Sequence, residues 1–448
     1  MPELAQRLSI VKVSASAAMT QRARELRGQG IEVISLSNGE PDFASPPHAI
    51  EAAHQAALKG DTKYPPQGGT PALKAAIARK FKRDNGLDYA ADEIIVGNGG
   101  KQVIFNAFMA TLDPGDEVVI PSPFWISYAD MAKVAGGVPV TVACPQNNGF
   151  KPRPEDLEAA ITPKTKWVLL NFPGNPTGAV PSLAEMRALA DVLLRHPHVW
   201  VMTDDMYEHL LYDGFEYHTI AAVEPGLKDR TLTVNGCSKT YAMTGWRVGF
   251  GAGPASLIKG MFNMQGQATA GVSTISQAAA AAALDGPQEF VKTNAEAYRQ
   301  RRDMVVEMLN AAPGITCHKP EGAFYVFPNI AGCLGKTSKG GRRIETDTDF
   351  VTALLEEKRV GVVQGTAYGM SPYMRISYAT DTASLTEACT RIQEFCRELS
   401  WATPGPARPR RGCRGLHPAD RRLLGGISEL HPRRGPRGAG APRARQLL

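Results

Sequence analysis

A lysine and an arginine lie eight residues apart in the stretch Asn235–Gly249. The apolar runs 231–234 and 248–252 on either side are typical of buried strands, which places Lys239 at the edge of a sheet. One interpretation is a solvated or ion-paired lysine, as most lysines are. The other is an amine that forms a Schiff base with an aldehyde cofactor, whose phosphate Arg247 binds. The stretch alone leaves both interpretations open.

A pair of acids follows another apolar run, 199–203. Ligands of open parallel sheets bind beyond the carboxyl ends of the strands. Asp204 could therefore pair with a protonated pyridine nitrogen, with Asp205 as its close rival, and Tyr207 could hydrogen-bond a phenolate oxygen on the same ring. Helix capping by the aspartates is the alternative, and capping does not exclude the role.

Three further connections carry residues that suit the same cofactor. Asn175, in the turn after a buried strand, could donate to a ring oxygen or form a structural Asx turn. Trp125 could stack on a planar ring or pack in the core. The turn 97–102 offers glycines and a helix N-terminus to a phosphate, or is a plain tight turn.

Arg375 stands inside the apolar strand 374–377. A guanidinium in that setting needs a partner, and a bidentate carboxylate suits it best. The α-carboxylate of a substrate would serve, as would an internal aspartate or glutamate. The sequence therefore predicts a carboxylate for Arg375 and leaves its source open.

Strands and helices alternate from residue 93 to residue 203, among them a helix over 124–134, which predicts an α/β fold with a parallel sheet covered on both faces. Residues 314–400 read as a separate α+β unit. We predict a large domain over 47–290, a small domain over 1–46 and 291–400, and a disordered tail over 401–448.

Charge is distributed unevenly along the 448 residues. The tail carries +9 from eleven arginines and two acids, so residues 1–400 carry −3 of the total +6. Such a tail could bind nucleic acid, yet it has no aromatic residue after Trp401 on which bases could stack, so we expect no nucleic-acid partner. The scattered cysteines argue against a disulfide framework or a zinc site, and no apolar run reaches the ~20 residues of a membrane span.

The chain resembles the fold-type I, class I/II pyridoxal 5′-phosphate aminotransferases, and most closely the bacterial aspartate aminotransferase group. The resemblance covers about residues 1 to 400 and rests on five strings: Ser-Lys-Thr-Tyr-Ala-Met-Thr-Gly-Trp-Arg, Asn-Pro-Thr-Gly, Gly-Glu-Pro-Asp-Phe, Gly-Gly-Lys-Gln and Tyr-Met-Arg-Ile-Ser-Tyr. It implies a large domain with a mainly parallel sheet flanked by helices, a smaller α+β domain, and pyridoxal 5′-phosphate as cofactor.

The resemblance also implies roles for individual residues. Lys239 would form the Schiff base and move the substrate's α-proton, with Asp204 at the ring nitrogen. The other implied cofactor contacts are Tyr207 and Asn175 at the ring hydroxyl, Trp125 on the ring face, Arg247, Gly99 and Gly100 at the phosphate, Ser238 and Lys101 nearby, and Tyr64 from a second subunit. The implied substrate contacts are Arg375 and Gly39 at the α-carboxylate, Lys101 at a distal carboxylate, Lys12 for prephenate, and Trp125 and Asn175 beside them.

The implied activity transfers an amino group between L-aspartate and 2-oxoglutarate, with prephenate as an additional acceptor. It would take place in a cytoplasmic homodimer with shared active sites. An aminotransferase for aromatic or other amino acids and a β-lyase on the same scaffold are alternatives, and Lys101 favours the dicarboxylate substrate. A DNA-binding regulator would need a helix-turn-helix module, and none precedes residue 30.

Overall fold

The computed structural model describes residues 4–11 and 14–401. Lys12 and the predicted tail beyond Trp401 lie outside the described residues. Within them, the helices are α1 (Ala15–Gly28), α2 (Pro47–Leu58), α3 (Pro71–Lys80), α4 (Gly100–Thr111), α5 (Ser127–Val134), α6 (Pro154–Ala160), α7 (Leu183–Leu194), α8 (Ile220–Val223), α9 (Ala255–Gly266), α10 (Thr274–Asp285), α11 (Glu289–Asn310), α12 (Asp347–Lys358) and α13 (Thr382–Glu398).

The strands of the same residues are β1 (Ile34–Ser35), β2 (Ile94–Gly97), β3 (Glu117–Ser122), β4 (Val138–Ala143), β5 (Thr165–Asn171), β6 (Trp200–Asp204), β7 (Thr231–Gly236), β8 (Gly249–Ala252), β9 (Tyr325–Val326), β10 (Lys336–Thr337), β11 (Val360–Gly361), β12 (Val363–Gln364), β13 (Met374–Ser377) and β14 (Ser400–Trp401).

Local chemistry sets where several helices begin. The Thr70 hydroxyl accepts a hydrogen bond from Leu73 N at 3.3 Å, and Pro71 occupies the first turn of α3. Ser182 and Glu185 form a capping box at α7. These caps satisfy backbone N–H groups that a helix leaves unpaired at its start.

The central sheet has the strand order β2-β8-β7-β6-β5-β3-β4. The pairs β3–β4, β3–β5, β5–β6 and β6–β7 are parallel, which confirms the predicted parallel core. The strand β8 runs antiparallel to both of its neighbours. Its amino end therefore lies at the edge where the parallel strands have their carboxyl ends.

This topology gathers polar residues at one edge of the sheet. Asp204 ends β6, Lys239 follows β7, and Arg247 lies just before the antiparallel β8. The strand β8 also approaches the start of α4 closely, because a Cβ on Gly249 would lie 2.1 Å from the backbone nitrogen of Gly100. A side chain at position 249 would push α4 away from this edge.

The remaining elements pack around a separate hydrophobic cluster. Residues of α11, α12, α13, β9, β11 and β13 share it with Met206, Tyr207, Leu210 and Tyr212, which follow β6. The strands β12, β13 and β9 form a small antiparallel sheet. The division into domains at residues 46 and 290 stays a prediction. Among the described residues, no helix combines the length and the apolar character that crossing a bilayer requires.

Candidate active site

A cavity of about 450 Å³ opens at the carboxyl edge of the central sheet. Its walls come from the loops after β2, β3, β5, β6 and β7, from the turn before β8, and from α1 and β13. Most of the residues singled out in the sequence line it: Gly39, Gly100, Lys101, Trp125, Asn175, Asp204, Tyr207, Ser238, Lys239, Arg247 and Arg375.

Lys239 supplies an amine to this cavity. Its Nζ donates a hydrogen bond to the Gly39 carbonyl oxygen and lies 6.0 Å from the centre of the Tyr207 ring. Burial, together with the positive charges of Arg375 and Arg247, lowers the pKa of Lys239 from 10.5 to about 8. An amine with such a pKa can serve as a nucleophile and as a base near neutral pH.

Asp204 supplies a buried carboxylate to the same cavity. Its Oδ2 accepts a hydrogen bond from the Tyr128 hydroxyl at 2.6 Å, and its Oδ1 accepts one from Met206 N at 3.3 Å. Burial raises the pKa of Asp204 to about 6, and the hydrogen bond from Tyr128 opposes that rise. A protonated ring nitrogen beside it would favour the ionised form.

The rival acid, Asp205, does not line the cavity. Its Oδ1 accepts hydrogen bonds from the Tyr217 hydroxyl at 2.6 Å and from the Thr203 hydroxyl. The two adjacent carboxylates therefore have separate surroundings, and Asp204 is the one that a ligand in the cavity can reach.

Tyr207 and Asn175 provide polar groups beside these two. The Tyr207 hydroxyl shares a hydrogen bond of 2.8 Å with the Tyr325 hydroxyl. Asn175 is fixed through Asn171, whose Oδ1 accepts from Asn175 N at 3.0 Å and whose Nδ2 donates to the Asp204 carbonyl oxygen at 2.8 Å. The loop after β5 is thereby tied to the end of β6.

One end of the cavity is rich in hydrogen-bond donors. Arg247 adopts a left-handed backbone with φ of 57° and donates to the carbonyl oxygens of Thr244 at 3.0 Å and Asn98 at 3.1 Å. Gly99 lies behind it, and a Cβ at that position would lie 2.4 Å from Arg247 Nη2. Together with Ser238 and the N-terminus of α4, Arg247 offers the positive charge and N–H donors that could hold a phosphate.

Arg375 provides a buried guanidinium within the cavity. Its guanidinium lies over the rings of Tyr325 at 4.6 Å and Tyr368 at 5.2 Å. Among the described residues, the buried Arg375 Nε has no hydrogen-bond partner. Its two Nη atoms donate to Asn175 Oδ1, Ser16 Oγ and the Ser37 carbonyl oxygen, so neither predicted internal partner, aspartate nor glutamate, pairs with it in the described chain. Among the described residues Arg375 thus lines the cavity without an acidic partner.

Lys101 and Trp125 both line the cavity, and Lys101 Nζ lies 4.9 Å from the centre of the indole ring. Burial and the charge of Arg247 lower the pKa of Lys101.

Tyr64 lies apart from the cavity and is 96% exposed. Lys12 lies outside the described residues, so its predicted role stays a prediction.

Sequence reasoning missed several residues of the cavity. Two of them, Glu40 and Thr244, lie inside quoted strings without having been assigned a role. The missed lining residues are Ser16, Thr20, Arg24, Asn38, Glu40, Tyr128, Asn171, Met206, Thr244 and Tyr325. The spacing of Ser16, Thr20 and Arg24, four residues apart on α1, is a signal that could have placed them on one helix face.

The residues present fit pyridoxal 5′-phosphate. The Lys239 amine suits the aldehyde of that cofactor, and the buried Asp204 carboxylate suits its ring nitrogen. Arg247, at a helix N-terminus, suits its phosphate. Position 99, at the end of the cavity that would take the phosphate, requires glycine because a side chain there would collide with Arg247. Arg375 remains for a substrate carboxylate.

Comparison with known families gives a match over most of the chain. The family model for aminotransferase class I and II matches residues 31–392. An aspartate/prephenate aminotransferase of Cereibacter sphaeroides is 56% identical over 397 residues, which is 89% of this chain and 99% of the relative. An aspartate aminotransferase of Rhizobium meliloti is 55% identical over 396 residues, or 88% and 97% of the two chains.

Solved structures agree with these matches. The crystal structure of the aspartate aminotransferase from Rhizobium meliloti has a TM-score of 0.87 at 55% identity and covers 89% of this chain and 100% of that one. The aspartate aminotransferase of Thermus thermophilus with maleate has a TM-score of 0.82 at 42% identity, with coverages of 88% and 100%.

Proposed function

The chain belongs to the class I and II aminotransferase family, and on that premise we propose that it transfers the amino group between L-aspartate and 2-oxoglutarate. Pyridoxal 5′-phosphate would be bound covalently by Lys239. The observation that carries this proposal is the position of the Lys239 amine. It lies in one cavity with a buried acid, Asp204, and with two cations, Arg247 and Arg375.

In this proposal, residues of the cavity contact each part of the cofactor. Asp204 holds a proton at the ring nitrogen, Tyr207 and Asn175 contact the ring hydroxyl, and Trp125 stacks on the ring. The phosphate is held by Arg247, Ser238 and the backbone of Gly99 and Gly100, with Lys101 nearby. When bound, the cofactor withdraws the electrons released as the α-carbon of the amino acid loses its proton.

Lys239 moves that proton. Its Nζ accepts the proton from the α-carbon of the amino acid and returns one in the opposite half-reaction. The lowered pKa of Lys239 leaves the amine able to accept a proton at neutral pH. The contact with the Gly39 carbonyl keeps the amine at the substrate end of the cavity.

The substrate's two carboxylates have different receptors in this proposal. Arg375, with the Gly39 backbone, binds the α-carboxylate, and its place in the cavity without an acidic partner among the described residues supports that role. Lys101 binds the distal carboxylate of aspartate or glutamate. The Cereibacter sphaeroides relative bears the name aspartate/prephenate aminotransferase, so we include prephenate as a further acceptor and Lys12 as its contact.

The active protein is a homodimer in the cytoplasm in this proposal. Tyr64 is nearly fully exposed within one chain, and it would reach the phosphate in the cavity of the partner subunit. Such an arrangement makes each site depend on two chains.

Half-reactions test the substrate assignment. The cofactor-loaded enzyme is mixed with a panel of amino acids under single-turnover conditions, and the change in cofactor absorbance is followed. We expect aspartate and glutamate to react faster than alanine or phenylalanine, and Lys101→Gln to slow the two acidic amino acids selectively. A preference for phenylalanine in the wild-type enzyme would contradict the dicarboxylate assignment. Release of pyruvate and ammonia from an amino acid with a leaving group on its β-carbon, such as cysteine, would indicate a β-lyase.

A further inference from the structure

We propose that Tyr128 is a positioning residue for Asp204: its hydroxyl fixes one carboxylate oxygen and keeps the carboxyl group ionised towards the cofactor ring. The inference rests on the proposed function, in which Asp204 faces the ring nitrogen. Tyr128 acts through Asp204 and touches no reacting atom in this account.

The contact is short and enclosed. The Tyr128 hydroxyl donates to Asp204 Oδ2 at 2.6 Å, and both residues are buried. Among the described residues, the other oxygen, Oδ1, accepts only the longer bond from Met206 N at 3.3 Å. A hydrogen bond from a hydroxyl to an ionised carboxylate is stronger than one between neutral groups. Tyr128 is therefore the main restraint on the orientation of this carboxylate.

The direction of this hydrogen bond is fixed by charge. Burial and the negative charge of Asp204 raise the pKa of Tyr128 well above its usual value, so the phenol keeps its proton and donates. The bond from Tyr128 and the charge of Lys239 both oppose the rise that burial imposes on the pKa of Asp204. Without the hydrogen bond from Tyr128, the pKa of Asp204 would be higher, and a smaller fraction of its carboxyl group would be ionised.

Packing keeps the Tyr128 ring in place. Tyr128 is the second residue of α5, and its ring belongs to the hydrophobic cluster beneath the sheet. It also packs edge-on against Trp125, with ring centres 5.1 Å apart. One short segment of chain thus carries the proposed stacking residue and the residue that holds the proposed acid.

The neighbouring acid offers a matched control. The Tyr217 hydroxyl donates to Asp205 Oδ1 at 2.6 Å, the same distance as between Tyr128 and Asp204. Asp205 does not line the cavity. Tyr128→Phe and Tyr217→Phe therefore remove the same chemical group from adjacent buried carboxylates, of which only one would face the cofactor.

The test compares two ligands of the apoenzyme. Dissociation constants are measured by equilibrium dialysis for pyridoxal 5′-phosphate and for an analogue in which carbon replaces the ring nitrogen. The ratio of the two constants reports the interaction at that nitrogen. We expect Tyr128→Phe to reduce the preference for the nitrogen-containing ligand about tenfold, the effect of losing one hydrogen bond to a charged acceptor. Tyr217→Phe should leave the preference at the wild-type value.

Asp204→Asn separates failure of the inference from failure of the proposed function. If this variant keeps the wild-type preference, Asp204 does not pair with the ring nitrogen and the proposed role of Asp204 fails. If Asp204→Asn loses the preference while Tyr128→Phe keeps it, the inference about Tyr128 alone is overturned. That inference is overturned as well if Tyr217→Phe reduces the preference as much as Tyr128→Phe does.

A second replacement covers the case in which Tyr128→Phe does not fold. Incorporation of 3-fluorotyrosine at position 128 keeps the hydroxyl and makes it a stronger donor. We expect the preference for the nitrogen-containing ligand to be at least maintained. We also expect the titration of the Asp204 carboxyl to move to lower pH, as measured by infrared difference spectroscopy against Asp204→Asn. An unmoved titration would overturn the inference.

Discussion

Asn175 Oδ1 accepts a hydrogen bond of 3.2 Å from Arg375 Nη1, although 200 positions separate the two residues in the chain. Asn175 follows β5 of the central sheet, whereas Arg375 belongs to β13 of the small antiparallel sheet. Arg375 Nη2 donates to Ser16 Oγ at 3.3 Å and also to the Ser37 carbonyl oxygen. The guanidinium is therefore held in place in advance, which lowers the entropic cost of binding a carboxylate.

Arg375→Gln should weaken binding of every amino acid substrate. We expect the KM for aspartate and the KM for alanine each to rise by roughly 10- to 100-fold, because a charge-assisted contact to the α-carboxylate is lost. Steady-state kinetics with both substrates measures this. Lys101→Gln is the control, since it should raise the KM for aspartate and leave that for alanine unchanged. An unaltered KM for alanine in Arg375→Gln would count against its role at the α-carboxylate.

Mixed dimers test whether Tyr64 acts on the partner's site. Tyr64→Ala and Lys239→Ala are each expected to be impaired in the proposed dimer. In a hybrid of the two, one site combines Lys239 of one chain with Tyr64 of the other and is intact. Random mixing should therefore restore roughly one quarter of the wild-type activity. If Tyr64 served its own chain, no hybrid site would be intact, and mixing would restore nothing.

The pH dependence of apoenzyme stability reports on Lys239. The folded-state pKa of Lys239 is lowered to about 8 from 10.5, mainly by burial. Between these two values the unfolded chain binds more protons than the folded one, so the free energy of unfolding should rise with pH across that window. The gain should be on the order of 2 kcal/mol and absent in Lys239→Met. Urea unfolding of both proteins at pH 8 and pH 10 measures it, and an equal change in the two proteins would contradict the buried amine.

Local chemistry explains why much of the site was predictable. Asp204 ends β6 and Lys239 follows β7, so a parallel sheet alone places both at one edge, whereas Arg247 lies there only because β8 runs antiparallel. The choice between Asp204 and Asp205 needed the three-dimensional contacts with Tyr128 and Tyr217. Those contacts involve packing between elements, which no pattern along the chain encodes.

Tertiary contacts also shift the elements themselves. The sequence predicts a helix from Phe124 to Val134, but α5 begins at Ser127. Phe124 N donates to the Tyr368 carbonyl oxygen at 3.0 Å, and this long-range bond holds the preceding residues in a loop. Trp125 therefore lies on a loop at the cavity. Tyr325 was missed for a similar reason, since it reaches Tyr207 across 118 positions of sequence.

Lys239→Ala should lower the rate of transamination at least about a thousandfold, because the variant lacks both the covalent attachment and the proton carrier. Both half-reactions should fail, as followed by the production of oxo acid from aspartate and of aspartate from oxaloacetate. Lys101→Ala is the matched control, since it removes the other lysine that lines the cavity among the described residues and should spare turnover of alanine. Normal turnover in Lys239→Ala would contradict the assignment.

Borohydride reduction of the cofactor-loaded enzyme, followed by mass spectrometry of its peptides, tests the covalent attachment most directly. Reduction makes the link between amine and cofactor permanent, so the modified lysine can be identified by its mass. We predict the label on Lys239, whose amine lies in the cavity with a lowered pKa. A label on Lys101, or no label on the peptide that contains Lys239, would contradict the account.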